Sequence, residues 1–334
     1  MPKVVLPIAN GFYESDSLPI SAQECVNFYP NIAQAPALNQ ETLYGTAGLE
    51  EVANADSLTG NRGAHEMNGV PYFVIAERLY SMAADFTLTF IGDVAGTSRV
   101  SIADNGTQML VLVPNGNGYI YNHVTDTFSQ ITDADFTANG NPQLVVYIDG
   151  FFCLTTDSKK FIVSALNDGL SYNALDFGTA ESDPDEIVAP IVFKNQLFIG
   201  GSQTIEAFQN IGGADFPFQR TGLFLSKGIA SPFSIQSLQG TFVFIGFGQN
   251  ESPAIWAFEG NDAVKISTTA IDKELSNLTQ DQVTSIYSWG YAEKGAYFVG
   301  FALPSSTLVY DIITKRWHER KSVIEGDLGG YRVT

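Results

Sequence analysis

Six times along the 334 residues, a two-residue turn signal precedes a run of aromatic and aliphatic residues. The signals are Asn68-Gly69, Asn105-Gly106, Asp149-Gly150, Lys194-Asn195, Gln239-Gly240 and Lys294-Gly295. The runs after them read VPYFVIA, TQMLVLV, FFCLTT, QLFIGG, TFVFIGFG and AYFVGFAL. Counted from the second residue of each pair, the intervals are 37, 44, 45, 45 and 55 residues. Asn-Gly and Asp-Gly are strong hairpin signals, because a type I′ turn needs positive φ at both central positions. A unit repeating at this period cannot bury its apolar faces alone and has to stack on copies of itself.

The segment from Arg99 shows one whole unit. RVSIAD is a strand, then come the turn, TQMLVLV, the turn around Gly116, YIYN, the turn around Asp126, and FSQIT. The third strand recurs at Arg78–Met82, Tyr119–Asn122, Lys160–Ser164, Thr204–Phe208, Ala254–Phe258 and Thr307–Asp311. Four antiparallel strands repeating in this way predict an all-β chain, a β-propeller of about six four-stranded blades. A β-sandwich or Greek-key array also shows closely spaced turns, but not whole four-strand units at regular intervals. In a propeller the residues Gly69, Gly106, Gly150, Asn195, Gly240 and Gly295 join first to second strands at equivalent positions. Gly106, Gly150 and Gly240 are then the least replaceable, since positive φ strains a residue that carries a Cβ.

Two stretches fall outside the period. Residues 1–60 read as an extended N-terminal arm or partial strand set that pairs with the last blade, and residues 61–334 as the propeller. Within the propeller, residues 267–283 are the one helical insertion. Ala270, Ile271, Glu274 and Leu275 have helical spacing there, and Thr279 to Gln282 reads as a capping box. The last residues, GDLGGYRVT, resemble the first strand of a further blade, which either closes the ring or leads to strands beyond the C-terminus.

Charge and motifs narrow the function. Lys+Arg 17 against Asp+Glu 36 leaves a net charge of −19. Such a chain does not grip nucleic acid or an anionic membrane by bulk electrostatics. No apolar stretch approaches the length of a transmembrane helix, and MPKVVLPIANGFYESD does not read as a signal peptide. Cys25 and Cys153 have no metal-ligand spacing and read as isolated buried thiols of a reducing compartment. His65, His123 and His318 form no zinc pattern; His318 falls on a fourth strand with mixed exposure. There is no GxSxG elbow and no glycine-rich phosphate loop.

The enzyme class most at home on a propeller is a glycosidase, which needs a carboxylate pair and, in sialidases, clustered arginines. The seven arginines here are scattered, and Asn167 to Tyr172 only faintly resembles an Asp-box turn. Asp133, Asp135 and Asn139, and also Asp183, Asp185 and Glu186, are conceivable calcium ligands, yet acidic loops on an acidic chain are ordinarily solvated. The residues imply no catalytic site, no metal and no cofactor. A glycan-binding or glycan-cleaving propeller stands as the alternative to a structural role.

Five segments carry a family resemblance. They are IGDVAGTSRV from Ile91, LDFGTAE from Leu175 with PDEIV from Pro184, GSQTIEAF from Gly201, DFPFQR from Asp215 leading to KGIA at Lys227, and CVNFYP from Cys25. In order and number they resemble the packaged-DNA stabilisation proteins of short-tailed bacteriophages, the tail hub or nozzle subunits. The resemblance runs from about residue 25 to residue 280.

It implies a non-enzymatic virion protein made and assembled in the host cytoplasm. Copies would form a ring, a homo-hexamer, below the portal and its adaptor or head-completion protein. The ring would close the DNA exit channel, stabilise packaged DNA, guide its ejection, and carry the tail needle, fibre or spike. Duplex DNA would pass through an acidic lumen without specific binding. The helical insertion is then a candidate contact with a neighbouring subunit or the adaptor, through Asp272, Lys273, Glu274 and Asn277, because loops on rigid scaffolds tend to carry contacts. On that reading, Asp272–Asn277 can be deleted without unfolding the monomer.

Overall fold

The computed structural model describes residues 11–14, 22–33, 35–36, 40–55, 60–180, 185–213, 216–324 and 327–331. From the N-terminus, β1 (Tyr13–Glu14) pairs with β2 (Ala22–Gln23), and β3 (Phe28–Ile32) with β4 (Glu41–Gly45). Six antiparallel blades follow, five of four strands and the fifth of five. Blade 1 is β5 (Asn61–Met67), β6 (Val70–Ile75), β7 (Arg78–Met82) and β8 (Leu88–Asp93). Blade 2 is β9 (Ser101–Asp104), β10 (Gln108–Leu112), β11 (Gly118–Asn122) and β12 (Thr127–Gln130). Blade 3 is β13 (Pro142–Ile148), β14 (Phe151–Thr156), β15 (Lys160–Ala165) and β16 (Asp168–Thr179). Blade 4 is β17 (Ile187–Phe193), β18 (Gln196–Gly201), β19 (Ile205–Asn210) and β20 (Phe218–Leu225).

Blade 5 is β21 (Gly228–Ile229), β22 (Gln236–Leu238), β23 (Thr241–Phe247), β24 (Ala254–Glu259) and β25 (Asp262–Lys265), with both β21 and β22 paired to β23. Helices α1 (Thr269–Ser276) and α2 (Gln280–Ser285) come next. Blade 6 is β26 (Tyr287–Glu293), β27 (Ala296–Ala302), β28 (Thr307–Asp311) and β29 (Arg316–Glu319). A last hairpin pairs β30 (Lys321–Ile324) with β31 (Asp327–Gly330). The fold is thus a six-bladed β-propeller, with its third strands where the repeat puts them. In the final stretch, Asp327–Gly330 folds back on β30 as a two-stranded hairpin.

The chain divides into two compact units, Glu50–Ile229 with blades 1 to 4, and Met1–Leu49 with Ala230–Val333, which holds blades 5 and 6. In the four-blade unit the first strands lie against each other in series, β5 on β9, β9 on β13 and β13 on β17, so each blade's first strand is innermost. The apolar runs are buried on both faces. In β10, Met109 and Val111 pack with Val74 and Leu79 of blade 1. Their alternates Leu110 and Leu112 pack with Phe152 and Leu154 of blade 3. This explains why MLVLV, residues 109–113, is continuously apolar rather than alternating: a strand between two neighbours has no wet face. Each such fully buried side chain contributes about 1.5–3 kcal/mol.

Five of the six turns place both residues at positive φ, as the type I′ geometry requires: Asn68 and Gly69 at 55° and 78°, Asp149 and Gly150 at 51° and 92°, Lys194 and Asn195 at 48° and 58°, Gln239 and Gly240 at 45° and 78°, Lys294 and Gly295 at 50° and 81°. The turn of blade 2 differs. Only Gly106 has positive φ, 81°, and the turn is closed by side chains instead. The Asp104 carboxylate accepts from the Gly106 N–H at 2.7 Å, and the Asn105 side-chain Oδ1 accepts from the Thr107 and Gln108 N–H groups at 2.9 and 2.7 Å. Asx side chains compete with the two-residue turn by bonding their own backbone.

In the other unit the N-terminal segment runs beside the fourth strand of blade 6. Val26 makes a parallel bridge with Glu319. The N–H of Asn27 donates to the Glu319 carbonyl at 2.9 Å, that of Glu319 to Cys25 at 2.8 Å, and that of Phe12 to Trp317 at 2.7 Å. The mixed exposure expected of His318 is therefore wrong: the residue is 0% exposed. Strand β29 is an outer strand of its blade, yet Tyr29 and its neighbours cover it.

Candidate functional site

The helical insertion forms two helices. Thr279 and Gln282 close a reciprocal capping box at the start of α2. Helix α1 buries Ile271 and Leu275 among Val243, Ile245, Phe301 and Trp317. The four candidate contact residues divide. Lys273 and Asn277 are exposed. Asp272 turns back to blade 5, where it takes the Lys265 ammonium at 2.7 Å and the Ser267 hydroxyl at 2.5 Å. Glu274 accepts from the Ser306 hydroxyl on the loop before β28, and burial pushes its carboxyl above the usual range. The expectation that Asp272–Asn277 can be removed without unfolding is corrected: that segment carries the core residue Leu275.

The other sequence candidates are structural in their surroundings. His65 and Asp104 meet at 2.6 Å between β5 and β9, each half-buried. His123 lies exposed in a turn. Asp133 caps a short 3-10 turn, and the N–H groups of Tyr172 and Asp135 hold its carboxyl below the usual range. Asp185 accepts from the N–H groups of Gln203 and Thr204 at 2.7 and 3.0 Å; Asp183 lies outside the described residues. Among the described residues, no three of His, Cys, Asp and Glu gather where a metal ion could sit. Cys25 and Cys153 are buried and unpaired, and burial pushes both thiols up. The stretch from Asn167 to Tyr172 leads from a turn into β16. No described helix is long and apolar enough to cross a membrane.

The features that stand out lie where sequence reasoning found no signal. Asn27, at positive φ, accepts from the Lys321 N–H at 2.9 Å and donates to the Lys321 carbonyl at 3.1 Å. It thereby ties the start of β3 to the start of the last hairpin. Above that tie the β3–β4 hairpin leaves Phe28, Ile32 and Leu43 exposed on one face. A cavity of about 250 Å³ opens between β3 and the turns of blade 6, lined by Tyr29, Ile32, Tyr44, Lys294, Asp311 and Ile313. Positive φ at Asn27 is the one local trace, since Asn tolerates that conformation better than most residues.

With this geometry in hand, the comparisons are informative. The family model described as "Bacteriophage P22 Gp10, beta-propeller" matches residues 4–333. The tail hub protein gp10 of Salmonella phage P22 is 26% identical over 280 residues, covering 76% of this chain. The chain spans 58% of the length of that relative. Among solved structures, the N-terminal domain of Nup159 superposes with a TM-score of 0.48 at 11% identity, over 81% of this chain and 78% of that one. The computationally designed Ika8 protein gives 0.49 at 11% identity, over 91% and 90%. At that level neither adds to the family match. The six blades and the match along nearly the whole sequence place the chain in one family, and it belongs to the phage-stabilisation proteins described as the β-propeller of bacteriophage P22 Gp10.

Proposed function

We propose that this chain is a structural, non-enzymatic subunit of a phage tail hub, the ring that closes the DNA exit channel and holds packaged DNA until ejection. The observation that carries the reading is the match to the tail hub protein gp10 over 76% of this chain. Copies assemble into a closed ring, a hexamer, with a portal adaptor above and a tail needle, fibre or spike below. The protein acts in the virion tail after assembly in the host cytoplasm. Rings close when each subunit presents two different, complementary faces. The exposed Lys273 and Asn277 of α1 are candidates for one such face.

Retention is mechanical rather than adhesive. Duplex DNA carries one negative charge per roughly 1.7 Å, and a chain of net charge −19 repels it within about a Debye length. Native mass spectrometry with purified protein tests the ring: six-fold species support it, whereas a monomer that binds glycans favours the glycan reading. Particles assembled without the chain test the function. They package DNA and then lose it; particles that hold their DNA without it refute the proposal.

A further inference from the structure

Asparagine followed by glycine is chemically labile. The glycine backbone nitrogen, unhindered by a Cβ, can attack the asparagine side-chain carbon Cγ. The nitrogen must first lose its proton, so a hydrogen bond from its N–H slows the step. Six such pairs occur in the sequence. Asn10, which begins the first, lies outside the described residues. The other five are Asn68-Gly69, Asn105-Gly106, Asn115-Gly116, Asn117-Gly118 and Asn139-Gly140.

Four of these five are held. The Gly106 N–H donates to the Asp104 carboxylate at 2.7 Å, whose charge also opposes an anionic nitrogen beside it. The Gly116 N–H donates to the Val113 carbonyl at 2.8 Å, and that of Gly140 to the Thr137 carbonyl at 3.2 Å. The Asn139 amide is held as well, donating to the Ala174 carbonyl and accepting from the Lys160 ammonium, each at 2.9 Å. Gly118 is buried in β11, in register with Leu112, and a Cβ there would meet Ile131 and Phe136 at 2.8 Å.

The nitrogen of Asn68-Gly69 has none of these restraints. Both residues are exposed in the β5–β6 turn. Nothing lies within 4 Å of where a Cβ of Gly69 would stand, and the Gly69 N–H donates to no group among the described residues. Asn68 makes one side-chain bond, from Nδ2 to the Gly106 carbonyl of the next blade at 2.7 Å. That bond engages the nitrogen that departs and leaves the attacking one free.

We propose that Asn68 is the site at which the folded chain deamidates. The deprotonated Gly69 nitrogen attacks Cγ, the Cγ–Nδ2 bond breaks, and ammonia leaves with a proton taken from water, so that a cyclic succinimide remains. A second water opens the ring. Attack at Cγ gives aspartate, and attack at the main-chain carbonyl gives isoaspartate, whose backbone runs through Cγ and is one methylene longer. Either product carries a new negative charge and no longer donates to the Gly106 carbonyl, so the bond between the first turns of blades 1 and 2 is lost. The isoaspartate also lengthens a two-residue turn that sets the register of its hairpin.

The test is peptide mapping by mass spectrometry of the full chain incubated at mildly alkaline pH. The same chain unfolded in guanidinium chloride is the reference in which the five pairs react alike. In the folded protein Asn68 converts first, about tenfold or more ahead of Asn105, whose attacking nitrogen is bonded to a carboxylate. Asn68→Gly, a residue suited to the positive φ there, gives no product at this turn over the same period. Asp104→Ala frees the Gly106 N–H and brings Asn105 toward the rate of Asn68. An Asn68 still intact when the unfolded chain has converted overturns the proposal, as does any other of the five pairs that keeps pace with it. An Asn105 rate unmoved in folded Asp104→Ala also overturns it, because the ranking rests on that hydrogen bond. Should Asp104→Ala fail to fold, the ranking in the wild type decides alone.

Discussion

Blades 1 and 6 each bury an arginine without a carboxylate, and they do so by opposite means. Arg62, 5% exposed on β5, donates to four backbone carbonyls: Ser98 at 2.6 Å, Val94 at 2.7 Å, Ala76 at 3.0 Å and Ala95 at 3.4 Å. It staples the loop that leads out of β8. Arg320 instead rests among four rings, with the His318 imidazole and the Tyr291 hydroxyl as its acceptors. The outer strands differ in parallel. In blade 1, β8 leaves Phe90 51% exposed; in blade 6, β29 buries Trp317 and His318 under the N-terminal segment. Buried charge is tolerated in a propeller edge either by saturating it with carbonyls or by sealing it in aromatic surface.

The largest effect expected from this contrast is at Arg62. Arg62→Met leaves carbonyls buried without donors, each costing about 1–3 kcal/mol, so denaturant unfolding shows a loss of about 4 kcal/mol. Arg320→Met, which exchanges an under-satisfied charge for an apolar chain of similar length, costs less than about 1 kcal/mol under the same conditions. Equal losses break the comparison.

Next comes the cover of blade 6. Tyr29→Ala removes a side chain that is 2% exposed and costs about 3 kcal/mol, whereas Phe90→Ala in the bare edge of blade 1 costs less than about 0.5 kcal/mol. A large loss at Phe90 would mean that the outer edge of blade 1 is covered in solution.

Acid stability sharpens the picture further. His318 is held down to about 3 in the folded state, against an unfolded value of 6.5. Its contribution is present above 6.5 and is lost as pH falls from there toward about 3, because the unfolded chain takes up the proton first. The steepest slope is about 1.4 kcal/mol per pH unit. Unfolding curves of the wild type and His318→Phe, compared between pH 6.5 and 4, converge as pH falls. Parallel curves sink this assignment.

The turns lose less than Arg62 or Tyr29. Gly69→Ala meets no atom within 4 Å but is strained by φ of 78°, and costs about 1 kcal/mol. Gly150→Ala adds a contact of 2.5 Å with the mobile end of the Leu166 side chain, and costs only slightly more. If Gly150→Ala proves as costly as Arg62→Met, the turns and not the blade edges govern stability.

Legibility divides along the same line. The blades could be read from residues alone because turn chemistry and strand alternation are local: Asn68-Gly69 and Asp149-Gly150 set their own φ values, and TQMLVLV declares a strand buried on both faces. The Asn105-Gly106 turn departs because Asp104 and Asn105 offer the backbone competing bonds, which is also local but weighs two close energies. The candidate contacts at Asp272 and Glu274 were legible as helix positions but not as inward-facing ones. Their partners Lys265, Ser267 and Ser306 sit on other elements, and only packing reveals which helix face is buried.

The repeat, the all-β class and the strand-to-strand order were thus determined by the sequence itself, through steric and periodic rules acting over a few residues. The burial of His318, the caging of Arg320 and the tie between Asn27 and Lys321 were decided only in three dimensions. Asn27 and Lys321 are 294 positions apart. No local preference of either residue encodes a contact of that separation. It forms because the sixth blade presents an apolar edge and the N-terminal strand can bury it, and the free energy of that burial belongs to the pair and to neither segment alone.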